Sequence, residues 1–324
     1  MNLNFKPKEN IAKSDLLFVM RLNKIIIKFK ELQTIYKMVV NWYDILFFRF
    51  GFKKKITIYF REGHKISFTS LSEYFRYFDD IQKKPIGMKE IYLHIDRNPK
   101  IVSIIYNTVK LKFHYGIVSS LSNIIWMLRE QFLNEQYKWL GVKNKVVIDI
   151  GTNVGDTAIY FALKGAKHVY ALEPYPYSYM YAIKNIKTNH LEKKITLLNA
   201  GCGARDSKIT IGSHYMNTAS SELKESRSGK KIKLYTLKSI SNNYKIDDGA
   251  ILKIDCEGCE YGVLLSASSK TLRKFKQIQG EYHYGYKNIE KKLKDAGFNV
   301  RHTVPTRDTS HEKEGFTGSL FAYL

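Results

Sequence analysis

Cysteine is scarce in this chain: three among 324 residues, at Cys202, Cys256 and Cys259. That is too few for a disulfide framework and suits a reducing compartment. Acidic side chains are outnumbered, 30 Asp and Glu against 53 Lys and Arg, for a formal net charge of +23. Such an excess favours an anionic partner or surface. A general bias toward Lys, Ile, Tyr and Asn would give the same total. Met1 to Asp15 is polar and lacks the apolar core and cleavage site of a signal peptide. No uncharged run reaches the roughly 18 residues that a membrane span requires. Internal repeats are not evident. A cytoplasmic location is expected, with peripheral membrane contact left open.

The stretch that organises the chain is Val146-Val147-Ile148-Asp149-Ile150-Gly151-Thr152-Asn153-Val154-Gly155-Asp156. Its β-branched apolar run predicts a strand buried on both faces. A turn with two glycines follows, then a helical pattern through Leu163. Glycine in such a turn lets a ligand approach bare backbone. The third glycine of a dinucleotide-binding G-x-G-x-x-G turn is missing, and a carboxylate, Asp149, stands at the strand end. That charge repels a pyrophosphate and suits a cofactor bearing an ammonium and a sulfonium, S-adenosylmethionine. The next strand, His168 to Leu172, ends at Glu173, which is the acid expected to take the ribose hydroxyls. The rival reading is an α/β domain whose glycines only make a turn.

Residues 1–52 read as a basic helical segment. From about residue 16 they mix Ile25, Phe29, Trp42 and Phe48 with Lys24, Lys30 and Arg49. Residues 16–52 could lie on an anionic membrane or pack on the rest of the chain. Residues 53–120 read as a small α+β N-terminal domain: a hairpin from Lys55 to Phe68, a helix from Ser70 to Ile81, then strands within Ile91–Ile105 and Val109–His114. Residues 121–324 read as the catalytic domain. A helix from Leu121 leads into strands near Val146–Ile150, His168–Leu172, Ile195–Ala200, Ile251–Ile254 and Gln277–Tyr282. Helices are expected to start near Val154, Tyr177, Cys259 and Asn288. A closing antiparallel pair is expected near Phe298–Thr303 and Leu320–Leu324. The alternation predicts a mostly parallel sheet with its ligand crevice at the strands' C-terminal ends. The polar segment Ser213 to Lys230 is long enough to cap that crevice.

A second cluster, Leu252-Lys253-Ile254-Asp255-Cys256-Glu257-Gly258-Cys259-Glu260, ends a buried strand in a burst of charge that makes little sense as core. Together with Ile148–Asp156, Ala171–Pro176 and Lys184–Leu191, it resembles the FkbM family of S-adenosylmethionine-dependent methyltransferases. The strand-end pair Glu281 and His283 is a further match. The resemblance implies a Rossmann-like class I methyltransferase fold with a seven-stranded sheet. It implies a cofactor set of Asp149, Gly151, Asn153, Gly155, Glu173, Pro174, Ala200 and Asp255. It also implies O-methylation of a hydroxyl, on a sugar, glycan or glycolipid.

For that chemistry Asp255 is the first candidate base, with Glu257 and His283 next. Lys253 either holds Asp255 ionised, bonds the substrate, or forms a structural pair with Glu260. Metal ligation by these carboxylates is the lesser reading, and no metal is expected. No second C-x-x-C or His pair completes a zinc site around Cys256 and Cys259, so both are expected as small buried thiols. His214 and Tyr215 are candidates for substrate contact. The alternative function is an RNA methyltransferase, suggested by the basic excess, although no RNA-binding module is visible and nucleic acid is not the expected partner.

Overall fold

In a computed structural model of the chain, the described residues are 36, 39–59, 61, 65–68, 71, 93–97, 100–116, 121–212, 225–308 and 315–324. The expected helix at 70–81 lies outside them apart from Leu71, as do His214, Tyr215 and most of residues 16–38. The chain divides into two compact units, residues 1–94 and 95–324.

In the first unit, helix α1 (Trp42–Arg49) precedes strands β1 (Ile56–Tyr59) and β2 (Lys65–Phe68), an antiparallel pair as expected. Asn41 ties helix to strand. Its amide donates to the Thr57 carbonyl at 2.8 Å and its Oδ1 accepts from the Tyr59 N–H at 2.9 Å. Ile45, Phe48, Ile56 and Ile58 are buried. Strand β3 (Leu93–Arg97) crosses the boundary between the units.

The second unit opens with the antiparallel strands β4 (Lys100–Tyr106) and β5 (Val109–His114). Helix α2 (Leu121–Leu128) runs on into a π-helical turn, Arg129–Leu133. Then come β6 (Val146–Ile150), α3 (Asp156–Leu163), β7 (His168–Leu172), α4 (Pro176–Thr188), β8 (Ile195–Leu198) and β9 (Ala200–Cys202). After β10 (Ser207–Ile211) and β11 (Lys230–Tyr235) follow α5 (Leu237–Asn243), β12 (Ala250–Ile254), α6 (Cys259–Ser266), α7 (Ser269–Leu272) and β13 (Phe275–Tyr282). The end is α8 (Lys287–Asp295), β14 (Asn299–His302), β15 (Thr306–Asp308) and β16 (Gly315–Tyr323).

The main sheet has the order β14-β16-β13-β12-β6-β7-β8. From β13 to β8 the strands are parallel, while β16 inserts antiparallel between β13 and β14. This is the expected α/β fold with a mostly parallel seven-stranded sheet and antiparallel C-terminal strands, and the short β15 pairs with β16 beyond it. The central strands are buried on both faces, as their Val and Ile content dictates. Two details differ from expectation. The strand expected over 195–200 is split, because Asn199 breaks off to bond the Glu173 and Pro174 carbonyls at 3.0 and 3.1 Å. Around the expected capping segment, β10 and β11 form an antiparallel pair that joins β9 rather than the main sheet.

The boundary at 94/95 places the β4–β5 hairpin, expected with the N-terminal domain, in the second unit. The His114 N–H donates to Asn185 Oδ1 at 2.7 Å, and Asn189 exchanges hydrogen bonds with the Lys112 backbone. Both asparagines belong to the α4 region, and Asn185 Nδ2 also donates to the Val154 carbonyl at 2.9 Å. One buried side chain therefore joins the hairpin to the glycine turn. Among the described residues, no helix is long and apolar enough to cross a membrane.

Candidate active site

The ends of β6, β7, β12 and β13 carry the charged residues of this chain's two motifs. A parallel sheet puts the C-terminal ends of adjacent strands side by side, which is why residues 149, 173, 255 and 281 converge.

Asp149 is fully buried. Register sets it opposite Lys253, whose Nζ lies 3.2 Å from Asp149 Oδ1. Thr157 donates to Asp149 Oδ2 at 2.6 Å. The ammonium of Lys253 also donates to the carbonyls of Ile150 (3.2 Å) and Gly151 (2.6 Å). Lys253 is 1% exposed and pairs with Asp149, not with Glu260. Burial opposes its charge, but Asp149, Asp255 and Asp156 outweigh that and raise its pKa. Its contacts brace the turn.

Gly151 has φ +79°, and a Cβ there would stand 1.9 Å from the Asp255 carbonyl oxygen. Gly155 has φ +85° and packs against Ala182 of α4, 3.3 Å from where its Cβ would be. Both glycines are thus demanded by the chain's own backbone as well as by any ligand. Asn153 takes the left-handed conformation at φ 48°. Its N–H donates to Glu173 Oε2 at 2.9 Å, and the Tyr175 N–H donates to Oε1 at 2.8 Å. Burial lifts the Glu173 carboxyl to about 8 despite these two donors. Asp156, at the start of α3, is pushed by burial to about 7. Pro174 and Ala200 are buried beside Glu173, with Asn199 bonding across.

Asp255 follows β12 and accepts a hydrogen bond from the Tyr137 hydroxyl at 3.1 Å. Burial raises the Asp255 pKa; Lys253 works against this, while Glu257 and Glu260 add to it. Tyr137 is a residue that sequence reasoning missed, since nothing in the linear spacing connects it to a strand end 118 positions away. Glu257, with φ 58°, sits 3.1 Å from His283 Nε2, and Glu260 lies 3.5 Å from His283 Nδ1. Glu260 also accepts from the Cys256 and Gly258 N–H groups, both at 2.8 Å. Burial disfavours the charged imidazole, but the two glutamates hold its pKa up at about 11. A ring kept protonated does not serve as a base. Glu281, near the end of β13, is raised to about 8, first by burial and then by Asp255.

The cysteines differ from expectation. Cys256 and Cys259 are joined in a disulfide and are only partly buried, while Cys202 is a buried free thiol. The bridge closes around Glu257 and Gly258, whose left-handed backbones bring the two cysteines together.

The residues present fit a cationic adenosyl donor. Asn153 Oδ1 is buried at the turn with no hydrogen-bond partner among the described residues. The Glu173 carboxylate has acceptor sites beyond the two in use. Four carboxylates (Asp149, Asp156, Glu173 and Asp255) share the single ammonium of Lys253.

A family model, the methyltransferase FkbM domain, matches residues 149–300. Two curated relatives match over short stretches. One is Protein arginine N-methyltransferase 8-B of Danio rerio, 45% identical over 56 residues. The other is Ribosomal protein L11 methyltransferase of Carboxydothermus hydrogenoformans, 48% identical over 54 residues. Each stretch is 17% of this chain, and they span only 13% and 18% of those relatives' own lengths. A solved structure, precorrin-6y C5,15-methyltransferase from Geobacter metallireducens, covers 65% of this chain and 94% of its own at 13% identity, with a TM-score of 0.34. The family match takes in every strand-end acid described above.

Proposed function

We propose that this protein is an S-adenosylmethionine-dependent O-methyltransferase whose acceptor is a hydroxyl on a glycan or glycolipid. The observation that carries the reading is the junction of the two motifs: the Asp255 backbone passes so close to Gly151 that a Cβ there would stand 1.9 Å from its carbonyl oxygen, which supports a site with acceptor-side and donor-side acids at adjacent strand ends. When bound, S-adenosylmethionine would supply an electrophilic methyl group for transfer to an alcohol oxygen, with S-adenosylhomocysteine as the leaving product. Glu173 would hold the ribose hydroxyls on its remaining lone pairs, and Asn153 Oδ1 would accept a hydrogen bond from the same ligand. Asp255 receives the proton lost by the acceptor hydroxyl; its raised pKa strengthens it as a base. Tyr137 orients Asp255. Lys253 acts through the turn it braces and is a positioning residue. The charged His283, held by Glu257 and Glu260, orients the acceptor.

A cytoplasmic location with peripheral membrane contact accompanies this reading. Tyr43, Phe47, Phe50 and Phe52 are exposed beside Arg49 and Lys53, which suits an anionic surface bearing a glycolipid. The test is twofold. Calorimetry should show S-adenosylmethionine binding that Glu173→Ala greatly weakens; an unaltered affinity refutes the donor pocket. Mass spectrometry of glycans and lipids from cells with and without the protein should show the loss of one methyl substitution. Methyl incorporation into RNA alone would refute the acceptor while leaving the donor assignment standing.

A further inference from the structure

We infer that Asp255, Glu281 and His283 form a divalent-cation site of the Mn²⁺ type. One ligand atom from each lies within 4.8 Å of the others, so small side-chain rotations suffice to bring all three onto one ion. Hard carboxylate oxygens with one imidazole suit Mn²⁺ better than the thiolate-preferring metals. The three come from two adjacent strand ends, which fixes their separation by the sheet rather than by a loop.

Charge points the same way. Four carboxylates surround His283: Glu257 at one ring nitrogen, Glu260 at the other, and Asp255 and Glu281 within the ligand set. Lys253 is committed to Asp149 and two carbonyls. In a chain of net charge +23, this is a local excess of negative charge. A separate observation comes from Gln279. It is two residues before Glu281, hence on the same face of β13, and its buried Oε1 has no hydrogen-bond partner among the described residues. The same amide's Nε2 is anchored on the Gln136 carbonyl at 2.8 Å, which leaves a buried hard oxygen without a partner among the described residues on the face that carries Glu281.

A cation entering here displaces both the proton and the carboxylate from one ring nitrogen of His283, so the ring binds it as the neutral imidazole and the proton leaves to solvent. The carboxylate on the opposite ring nitrogen then keeps the imidazole oriented, the arrangement by which metal-bound histidines are commonly held. The use of such an ion to draw in and acidify the acceptor hydroxyl rests on the methyltransferase reading. The binding of the ion does not.

The test is a titration of the full-length protein, stripped with a chelator and dialysed, with Mn²⁺ followed by electron paramagnetic resonance. A single saturable site per chain is expected. Glu281→Gln and His283→Gln should each weaken it by roughly tenfold or more. Asp248→Asn, at an exposed carboxylate, should leave it unchanged. Pulsed spectra of the bound ion in the wild-type protein should show nitrogen coupling from an imidazole, a readout that needs no variant to fold. Absence of saturable binding, bound Mn²⁺ without nitrogen coupling, or full affinity in both folded variants would overturn the proposal. Titrating S-adenosylmethionine into the stripped protein separates the two ideas, because donor binding without any Mn²⁺ site sinks only the cation, and the reverse sinks only the donor.

Discussion

Lys253 and Asp149 stand in register on neighbouring parallel strands, and their side chains meet 3.2 Å apart with almost no access to water. Removing one partner strands the other charge in the core, at a cost of about 3–5 kcal/mol. Lys253→Met should therefore lower the thermal midpoint sharply. The double change Lys253→Met with Asp149→Asn should recover part of the loss. A single variant as stable as the wild type would mean that the pair bears little on the fold.

Gly151 is the less forgiving of the two turn glycines. Gly151→Ala aims a methyl group at the Asp255 carbonyl, 1.9 Å away, whereas Gly155→Ala meets Ala182 at 3.3 Å. Both must hold a left-handed φ, costing about 1–2 kcal/mol. Denaturant melts should rank Gly151→Ala well below Gly155→Ala. The reverse order would place the strand ends farther apart than described.

Stability should fall as pH rises from about 4 to 8. Asp156 and Glu173 have folded pKa values of about 7 and about 8, above their ordinary values of 3.8 and 4.5. An acid whose folded pKa is raised favours the fold below its unfolded pKa and gives that up as pH climbs through the folded one. His283, raised from 6.5 to about 11, adds a decline of the same sign above its own unfolded value. Thermal midpoints across this range should slope downward, and Glu173→Gln should flatten the slope. A midpoint independent of pH in the unliganded protein would contradict the burial of both acids.

Thiol counting checks the Cys256–Cys259 bridge. In denaturant without reductant, one thiol (Cys202) should react; after reduction, all three should. In the folded protein Cys202 should stay silent, since burial pushes its thiol up to about 12. Three reactive thiols without reductant would leave no disulfide.

The parts legible in the sequence are those governed by local pattern. The apolar runs at 146–150 and 168–172 gave strands with those limits, and α6 begins at Cys259 as expected. Acids placed at strand ends were legible for the same reason. What eluded the linear reading depends on register and on contacts between distant segments. Lys253 could be matched with Asp255 or Glu260 by proximity in sequence, but strand pairing hands it Asp149. Tyr137 reaches Asp255 through the packing of its own ring, buried beside Phe161. The strands at 207–211 and 230–235 are half-exposed and alternate Ile with Lys, so they lack the continuous apolar signal of the central sheet. The expectation of buried thiols rests on the missing second C-x-x-C or His pair, which says nothing of the backbone at Glu257 and Gly258 that brings the two cysteines together.

Asn185 makes the hairpin at 100–114 structurally inseparable from the turn at 151–155. Anyone trimming this protein to its family-matched stretch would discard that hairpin and leave a buried amide oxygen without its donor. A shortened version beginning near residue 95 keeps the clasp, and one beginning at 121 gives it up.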